Sequence, residues 1–276
     1  MKFDLHCHSH CSDGELSPAD LVALAGECEI THLALTDHDT LSGLAEAAEA
    51  ARKREIQLIN GVELSCSWNG QLLHILGLGV DPENTGLLQG IKINMERRTV
   101  RALAMVGDFA EHGIELEEEV DTLLKGAVPT RPHFAQALVN LGYARDKRQA
   151  FKRFLVPGKP GYVPMQWPNL EQISEWITEA GGVAVLAHPL RYNLTRSKLL
   201  RLIGAMQNVG VLGMEVSTST TDRQQTDMLA DLAVQHDLLA SVGSDFHSLD
   251  QPWARLGSAQ PLPAHLVPVW SELTIS

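Results

Sequence analysis

The segment DLHCHSHCSDG, residues 4–14, contains three histidines, two cysteines and two aspartates directly after a short apolar run. Side chains of a strand alternate between two faces, so His6 and His8 can point to one site while Cys7 points away from it. Asp13 follows in the turn sequence Ser-Asp-Gly, which can return a carboxylate towards the end of the strand. The segment therefore predicts a first strand that delivers metal ligands at its carboxyl end, rather than a compact Cys/His zinc knot.

Short apolar runs like this one recur along the chain and alternate with helical patterns. Seven runs are predicted as buried strands: Phe3–Leu5, Leu33–Thr36, Leu58–Val62, Leu73–Leu78, Val183–Ala187, Leu212–Val216 and Leu239–Val242. Helices are predicted at Pro18–Cys28, Leu44–Arg54, Leu170–Ala180 and Thr221–His236. We expect the strands to be parallel, because this alternation is typical of a parallel sheet or a β/α barrel.

The segment 95–168 interrupts the alternation. It contains two or three helical stretches, several prolines and no convincing strand. We therefore expect an α/β protein with two parts. A barrel domain would comprise residues 1–94 and 169–276, and residues 95–168 would form a helical insertion domain that caps the substrate.

Composition narrows the class of function. The chain has 276 residues, of which 44% are hydrophobic and 20% charged, as expected for a globular protein with a large core. Its formal net charge of −12 argues against a nucleic-acid coating protein, but bound cations could still attract a phosphorylated substrate. The sequence shows no signal peptide pattern, no membrane span and no sign of an obligate protein partner, which predicts a cytoplasmic enzyme.

Nearly every predicted strand ends in a histidine or a carboxylate. The candidate metal ligands are His6, His8, Asp13, His38, Glu63, His74, His188, Asp245 and His247. In a β/α barrel the carboxyl ends of the strands meet at one mouth, although His74 lies near the start of its strand and fits this rule less well. A single buried histidine is usually a hydrogen-bonded core residue, but nine such groups would be costly to desolvate together. Two or three divalent ions would remove that cost.

The ligand types also indicate the metal and the reaction. Imidazole and carboxylate groups without thiolate suit Mn²⁺, Fe²⁺ or Zn²⁺. Clustered ions activate a water molecule and neutralise phosphoryl oxygens, which predicts a hydrolase of phosphate esters. Asp13, His188 and His247 are the candidates for proton transfer to the leaving oxygen. Asp37 and Asp39 are expected to orient a metal-bound histidine.

Recognition of the rest of the substrate requires other groups. Arg131 and His133 lie in the insertion, where Pro132 is expected to open a helix, and Lys159 lies in a Gly-Lys-Pro-Gly loop. Arg191 follows a predicted strand end at the mouth. We expect these four side chains to contact a second phosphate and a base, although Arg131 and Lys159 could equally be solvated surface charges.

The motifs DLHCHS with SDG, LTDHDT, GVELS, the lone His74, LAHP and GSDFH resemble those of the PHP (polymerase and histidinol phosphatase) family of metal-dependent phosphoesterases. The resemblance implies a distorted seven-stranded barrel and a site for three divalent ions, with Mn²⁺ preferred. It implies three ligand groups: His6, His8, Glu63 and Asp245; Asp13, His38 and His247; and Glu63, His74 and His188.

The phrases PTRPHFAQALVNLGYA, VPGKPGYVP and LAHPLRYN resemble a subgroup of stand-alone bacterial PHP phosphoesterases. That likeness implies hydrolysis of the 3′-phosphate of nucleoside 3′,5′-bisphosphates, such as adenosine 3′,5′-bisphosphate, and 5′-to-3′ cleavage of short RNA. Three alternatives remain open: another phosphomonoester such as histidinol phosphate, a non-catalytic metal-binding module, and an amidohydrolase. The last would be expected to carry a lysine at a strand end, and no predicted strand ends in one.

Overall fold

Seven strands form one sheet in the computed structural model, which describes residues 1–273. They are β1 (Phe3–Cys7), β2 (His32–Leu35), β3 (Gln57–Trp68), β4 (Gln71–Leu78), β5 (Val183–Leu186), β6 (Gly213–Thr218) and β7 (Leu239–Gly243). The chain just after β7 pairs with β1: the His8 amide donates to the Phe246 carbonyl over 2.9 Å, and the Asp245 amide to the His6 carbonyl over 2.7 Å. The sheet is thus a nearly closed barrel, which confirms the predicted fold and all seven predicted strands.

The direction of β4 corrects the expectation that the strands are parallel. β4 pairs antiparallel with both β3 and β5, whereas the other neighbouring strands pair in parallel. Only Asn69 and Gly70 separate β3 from β4, and both have positive φ, as a tight hairpin of this kind requires. The reversal places the start of β4, including His74, beside the second half of β3.

Nine helices accompany the sheet within the described residues. They are α1 (Pro18–Glu27), α2 (Leu44–Arg52), α3 (Thr85–Glu111), α4 (Glu117–Leu124), α5 (Arg131–Asn140), α6 (Lys147–Phe154), α7 (Leu170–Glu179), α8 (Arg196–Asn208) and α9 (Arg223–Gln235). The four predicted helices correspond to α1, α2, α7 and α9, while α8 was not predicted. None of the helices within residues 1–273 combines the length and the apolar character needed to cross a bilayer.

Apolar side chains hold the helices against the barrel in two clusters. One cluster packs α7, α8 and α9 against β3 to β6, and the other packs α1 and α2 against β1 and β2. Cys7 lies in the second cluster and its Sγ is 3.2 Å from the Ala34 carbonyl, so it points away from His6 and His8 as predicted. A further cluster, including Leu5 and Val185, joins strands directly.

The helices α3 to α6 lie between β4 and α7 in the chain and have an apolar cluster of their own. Its members, among them Phe109, Phe134 and Phe154, all come from residues 102–163. The segment contains four helices rather than two or three. The predicted domain boundary between residues 94 and 95 lies inside α3, which begins at Thr85 and is about 40 Å long.

Candidate metal centre

Nine titratable side chains meet at one mouth of the barrel. They are the nine predicted ligands His6, His8, Asp13, His38, Glu63, His74, His188, Asp245 and His247. Most come from β1 and β3 or from the loops that follow β1, β2, β5 and β7. His74 reaches the same mouth from the start of β4 because that strand runs in the opposite direction. The antiparallel strand therefore accounts for the one residue that did not fit the strand-end rule.

Glu63 lies at the centre of this cluster. Its Oε1 is 3.0 Å from His74 Nδ1 and 3.1 Å from His188 Nε2, and its Oε2 is 2.8 Å from His38 Nδ1. His6 Nε2 and His8 Nε2 lie 3.4 Å and 3.3 Å from the same carboxylate. One fully buried carboxylate thus faces five imidazoles, which suits a group that bridges cations.

The possible ligand atoms divide into three groups, within each of which all atoms lie within 4.8 Å of one another. The groups are His6, His8, Glu63 and Asp245; His8, Asp13, His38 and His247; and His38, Glu63 and His74. The first has the membership that the family resemblance implies. The second adds His8, and the third contains His38 where His188 is implied.

Two hydrogen bonds fix the orientation of ligand imidazoles. The Nδ1 of His6 donates to Glu215 Oε1 over 3.0 Å, because a carboxylate can only accept. The Nδ1 of His247 likewise donates to the Asp245 carbonyl over 2.9 Å. Both rings therefore direct Nε2 into the cluster, in the arrangement usual for metal-binding histidines. Glu215 Oε2 also accepts from the His188 amide over 2.6 Å.

Buried polar atoms without hydrogen-bond partners support the fit of cations to this cluster. Within the described residues, Asp13 Oδ1, His38 Nδ1 and Glu63 Oε2 are buried and have none. The last two are 2.8 Å apart but are not aligned for a hydrogen bond. Leaving such atoms unsatisfied is costly, and divalent ions that accept mixed imidazole and carboxylate ligands would remove the cost.

The electrostatics of the metal-free cluster are strongly coupled. Burial would lower the pKa of His8, but the adjacent carboxylates of Asp245 and Glu63 outweigh it and raise the pKa to about 10. Burial lowers the pKa of His38 to about 4, against the opposing effect of Glu63. Burial would raise the pKa of Glu63, yet the surrounding histidines hold it well below its usual range. The carboxylates are therefore charged, and His8 carries a proton that a metal ion must displace.

The expected role of Asp37 and Asp39 is not the one observed. Asp37 accepts hydrogen bonds from the Ser9 amide at 2.8 Å, the Ser9 hydroxyl at 2.6 Å and the Ser12 hydroxyl at 2.7 Å. It therefore holds the loop that carries Asp13, rather than orienting His38.

Asp39 connects the barrel to α3. It accepts from Arg98 Nε at 2.6 Å, Asn94 Nδ2 at 2.6 Å and the Ser65 amide at 2.9 Å. The Arg98 guanidinium holds the pKa of Asp39 below its usual value although burial would raise it. Sequence reasoning missed Arg98 and Asn94, since an arginine and an asparagine in a long polar helix carry no distinguishing signal.

Three residues of this region have a backbone conformation that L-amino acids rarely adopt. Asp39, His188 and Asp245 have φ values of 49°, 31° and 54°. Each lies just beyond the end of a strand, where the left-handed turn reverses the chain. Such strained residues concentrate at functional sites, because the surrounding structure must hold them in place.

A cavity of about 830 Å³ opens above the ligands and is lined by Arg98, Arg101, Arg131 and Arg191 together with several aromatic side chains. We call it the arginine cavity. Burial lowers the pKa of Arg101 to about 10, and the neighbouring Arg131 adds to the effect. Arg191 also contacts Asp245. The predicted substrate residues Arg131 and Arg191 therefore line the space above the ligands.

The two other predicted substrate residues lie elsewhere. Lys159 is exposed in the loop after α6 and is not among the lining residues of the arginine cavity. His133 accepts a hydrogen bond from the Thr130 amide at 3.2 Å and lines a second cavity of about 610 Å³. We call this second space the side cavity. It shares Asp13 and His247 with the arginine cavity.

Comparison with known proteins identifies relatives along nearly the full chain. A family model described as the PHP domain matches residues 4–147. A Chromobacterium violaceum protein named 3′,5′-nucleoside bisphosphate phosphatase is 42% identical over 272 residues, covering 98% of this chain and 95% of the relative. A Haemophilus influenzae protein named 5′-3′ exoribonuclease is 42% identical over 275 residues, covering 98% of both chains.

A solved structure agrees with the fold. It is described as an amidohydrolase from Chromobacterium violaceum with bound sulfate and no metal. It shares 41% identity with this chain, covers 99% of it and 95% of its own length, and superposes with a TM-score of 0.93. The nine clustered side chains of the present chain include no lysine, the residue that would be expected in an amidohydrolase-type site.

Proposed function

The chain belongs to the PHP domain family, and from that membership we propose that it is a metal-dependent hydrolase of the 3′-phosphate of nucleoside 3′,5′-bisphosphates, such as adenosine 3′,5′-bisphosphate. The observation that carries this proposal is a cluster of nine metal-type ligands directly below a cavity lined by four arginines. Cations in the cluster would hold the phosphate to be cleaved. The arginines would hold the second phosphate.

We further propose that the cluster holds three divalent ions, with Mn²⁺ preferred over Fe²⁺ or Zn²⁺. Glu63 would bridge them, since it faces histidines of all three ligand groups. Such ions activate a water molecule and neutralise phosphoryl oxygens. His6 and His247 are already oriented for this role by their Nδ1 hydrogen bonds.

The reaction breaks the bond between phosphorus and the 3′-oxygen of the nucleoside. Water attacks phosphorus in line, inorganic phosphate is released, and the 3′-oxygen takes a proton. Asp13, His188 and His247 are the candidates for assisting that proton transfer, and all three line the arginine cavity. The Nε2 of His247 is 3.4 Å from Asp13 Oδ1, so these two candidates are direct neighbours at the cavity floor.

Binding of the second phosphate is supported by arginines without anionic partners. Neither Arg101 nor Arg131 forms an ion pair within residues 1–273, and burial lowers the pKa of both. Arg131 lies over the ring of Phe151, with its central carbon 5.8 Å from the ring centre. A phosphate would relieve the repulsion between these cations. Residues 95–168, which contribute Arg98, Arg101 and Arg131, would thus form a domain that caps the substrate.

The test compares Arg131→Ala with the control Lys159→Ala. Adenosine 3′,5′-bisphosphate and adenosine 3′-monophosphate are assayed by released phosphate with Mn²⁺ supplied. Loss of a charged hydrogen bond should lower the kcat/KM ratio of bisphosphate to monophosphate by about ten-fold or more in Arg131→Ala. Lys159→Ala should keep the wild-type ratio, since Lys159 is exposed outside the cavity. An unchanged ratio in Arg131→Ala would remove this residue from the substrate site.

A second activity, 5′-to-3′ cleavage of short RNA, is supported by the same geometry and by the name of the Haemophilus influenzae relative. Removal of a 5′-terminal nucleotide breaks the same phosphorus–3′-oxygen bond as hydrolysis of the bisphosphate. Turnover of histidinol phosphate in preference to nucleotides would favour the alternative that the substrate is a phosphomonoester other than a nucleotide. Absence of turnover by metal-loaded protein on a panel of phosphate esters would favour a non-catalytic module.

A further inference from the structure

The side cavity begins at the metal cluster and leads away from the arginine cavity. The two spaces share Asp13, Pro132, Phe151, Arg191, Asp245 and His247. A substrate with its scissile phosphate on the cluster can therefore extend in two directions from that phosphate. A nucleoside bisphosphate needs only one of them.

The chemistry of RNA cleavage shows what needs the second direction. In both reactions water adds to phosphorus, the bond to the 3′-oxygen breaks, and that oxygen takes the proton. In a bisphosphate the other phosphoryl oxygens are free, and inorganic phosphate leaves. In RNA one of them is the 5′-oxygen of the next nucleotide, which remains bonded to phosphorus and becomes the new 5′-phosphate end. The RNA strand attached to that 5′-oxygen must leave the metal cluster by a path other than the arginine cavity.

The wall of the side cavity differs from that of the arginine cavity in a way that fits this path. Apart from the shared Arg191, it carries one lysine, Lys147, and the uncharged groups of Gln136 and Trp253. The Trp253 side chain is 61% exposed, so its ring is open to a ligand that enters the side cavity. Exposed aromatic rings beside a basic group are typical of sites for single-stranded nucleic acid, where bases stack on the rings.

The charges of the two cavities determine which end of the RNA strand lies in which cavity. Glu15 also lines the side cavity, and its Oε2 accepts hydrogen bonds from the Ser248 hydroxyl at 2.9 Å and the Leu249 amide at 3.1 Å. With Asp250 it makes this space less favourable for a terminal phosphate dianion than the arginine cavity. The 5′-phosphate therefore belongs among the arginines.

We propose that the side cavity binds the nucleotides of an RNA substrate that lie on the 3′ side of the scissile phosphate, with Trp253 stacking on a base and Lys147 contacting a phosphate. This inference rests on the proposed phosphoesterase function. It adds the part of the protein that would hold the 3′ portion of a 5′-phosphorylated strand, and the direction in which that strand lies.

The experiment compares two substrates with Mn²⁺-loaded protein: adenosine 3′,5′-bisphosphate and a 5′-phosphorylated tetraadenylate. Trp253→Ala should lower kcat/KM for the tetranucleotide by about ten-fold, the effect of one lost stacking contact, and Trp253→Phe should restore most of it. Lys147→Ala should also lower it, more strongly at low salt. Neither change should alter kcat/KM for the bisphosphate, which does not reach this space. Lys152→Ala is the matched control, since Lys152 is an exposed lysine of α6 that lines neither cavity.

Three outcomes would overturn the inference. Unchanged cleavage of the tetranucleotide by Trp253→Ala and Lys147→Ala would exclude the side cavity as the path of the strand. Equal losses on both substrates would show that these residues act on the fold or the metal cluster. Hydrolysis of the bisphosphate without any cleavage of the tetranucleotide by the wild-type protein would refute the inference and leave the proposed phosphatase function standing, whereas failure of that function would be seen as no hydrolysis of the bisphosphate.

Discussion

At the scale of single residues, Glu215 determines how two ligands are presented although it is not in any of the three ligand groups. Its two oxygens accept from His6 Nδ1 and from the His188 amide. A glutamine at this position keeps the volume but offers only one acceptor oxygen, so one of the two donors loses its partner. Glu215 is therefore a residue that positions His6 and His188 in the cluster.

Glu215→Gln should weaken Mn²⁺ binding by about 10- to 100-fold, the usual effect of losing a hydrogen bond to a metal-bound histidine. Titration calorimetry measures the affinity, and kcat should return towards the wild-type value at saturating Mn²⁺. Glu175→Gln, on the exposed side of α7, is the control and should bind metal normally. Wild-type affinity in Glu215→Gln would show that metal binding does not need both hydrogen bonds of Glu215.

Asp245 shows how backbone conformation limits the choice of variant. Its φ of 54° would strain an alanine, whereas asparagine tolerates this region and retains the shape of the side chain. Asp245→Asn should abolish Mn²⁺-dependent hydrolysis, since an amide is a poorer ligand for a divalent ion than a carboxylate. Circular dichroism should show an intact fold. Full activity of Asp245→Asn at saturating Mn²⁺ would remove Asp245 from the proposed ligand set.

The sequence was sufficient to predict the nine clustered residues, because most are histidines or carboxylates close to the end of an apolar run, while Asp13 lies in a turn and His74 near the start of its run. It was not sufficient for Arg98, which acts through Asp39 from a helix far along the chain. The prediction that Asp37 orients His38 was wrong, because it assumed that residues adjacent in sequence also contact each other through their side chains. Contacts between distant segments carry no local pattern, so the partners of Asp37 and Asp39 became visible only in the folded chain.

At the scale of secondary-structure elements, β4 is the strand whose direction was predicted wrongly. The signal was present, since Asn69-Gly70 between two apolar runs is a strong indication of a tight hairpin, and a hairpin forces antiparallel pairing. The expectation of parallel strands came instead from the alternation of strands and helices elsewhere. A two-residue connection leaves no room for the crossover that parallel strands need.

The long helix α3 contains two glycines whose replacement should have opposite effects. A Cβ atom at Gly90 would lie 2.3 Å from the ring of Trp176, whereas a Cβ at Gly107 would meet nothing within 4 Å. Gly90→Ala should therefore destabilise the protein by about 1–3 kcal/mol through overpacking between α3 and α7. Gly107→Ala should stabilise it by up to about 1 kcal/mol, the difference in helix propensity.

Thermal or urea unfolding of the metal-free variants measures both effects, with each glycine serving as the control for the other. A Gly90→Ala variant that is not destabilised would show that the helix does not pack against Trp176 as closely as described. Hydrolysis should change little in Gly107→Ala, because Gly107 lines neither cavity and a Cβ atom there has no neighbour to displace.

At the scale of the whole molecule, a chain with a net charge of −12 has a proposed substrate that is itself an anion. The buried arginines and the proposed ions confine the positive potential to one mouth of the barrel. Before metal binds, protons supply part of that charge, since the pKa of His8 is raised to about 10. A group with a raised pKa stabilises the metal-free fold below its unfolded pKa of about 6.5, and this contribution is lost as the pH rises through about 10.

Metal binding should therefore release protons at neutral pH, and Mn²⁺ should bind more tightly as the pH rises. Each displaced proton should strengthen the apparent affinity by about ten-fold per pH unit between about pH 6.5 and about pH 8.5. Calorimetry in two buffers of different ionisation enthalpy counts the protons released. An affinity independent of pH would contradict the assignment of a protonated His8 in the metal-free protein.

The spread of the ligands along the chain has a consequence for biosynthesis. The group of His38, Glu63 and His74 is complete once the first hairpin has left the ribosome. The other two groups need Asp245 or His247, which follow β7 and are translated after the helices α3 to α6. Metal binding by those two groups would thus be a late event, and a nascent chain would hold only part of the proposed centre. The hydrolysis proposed for this protein begins only when the last strand of the barrel has joined the first.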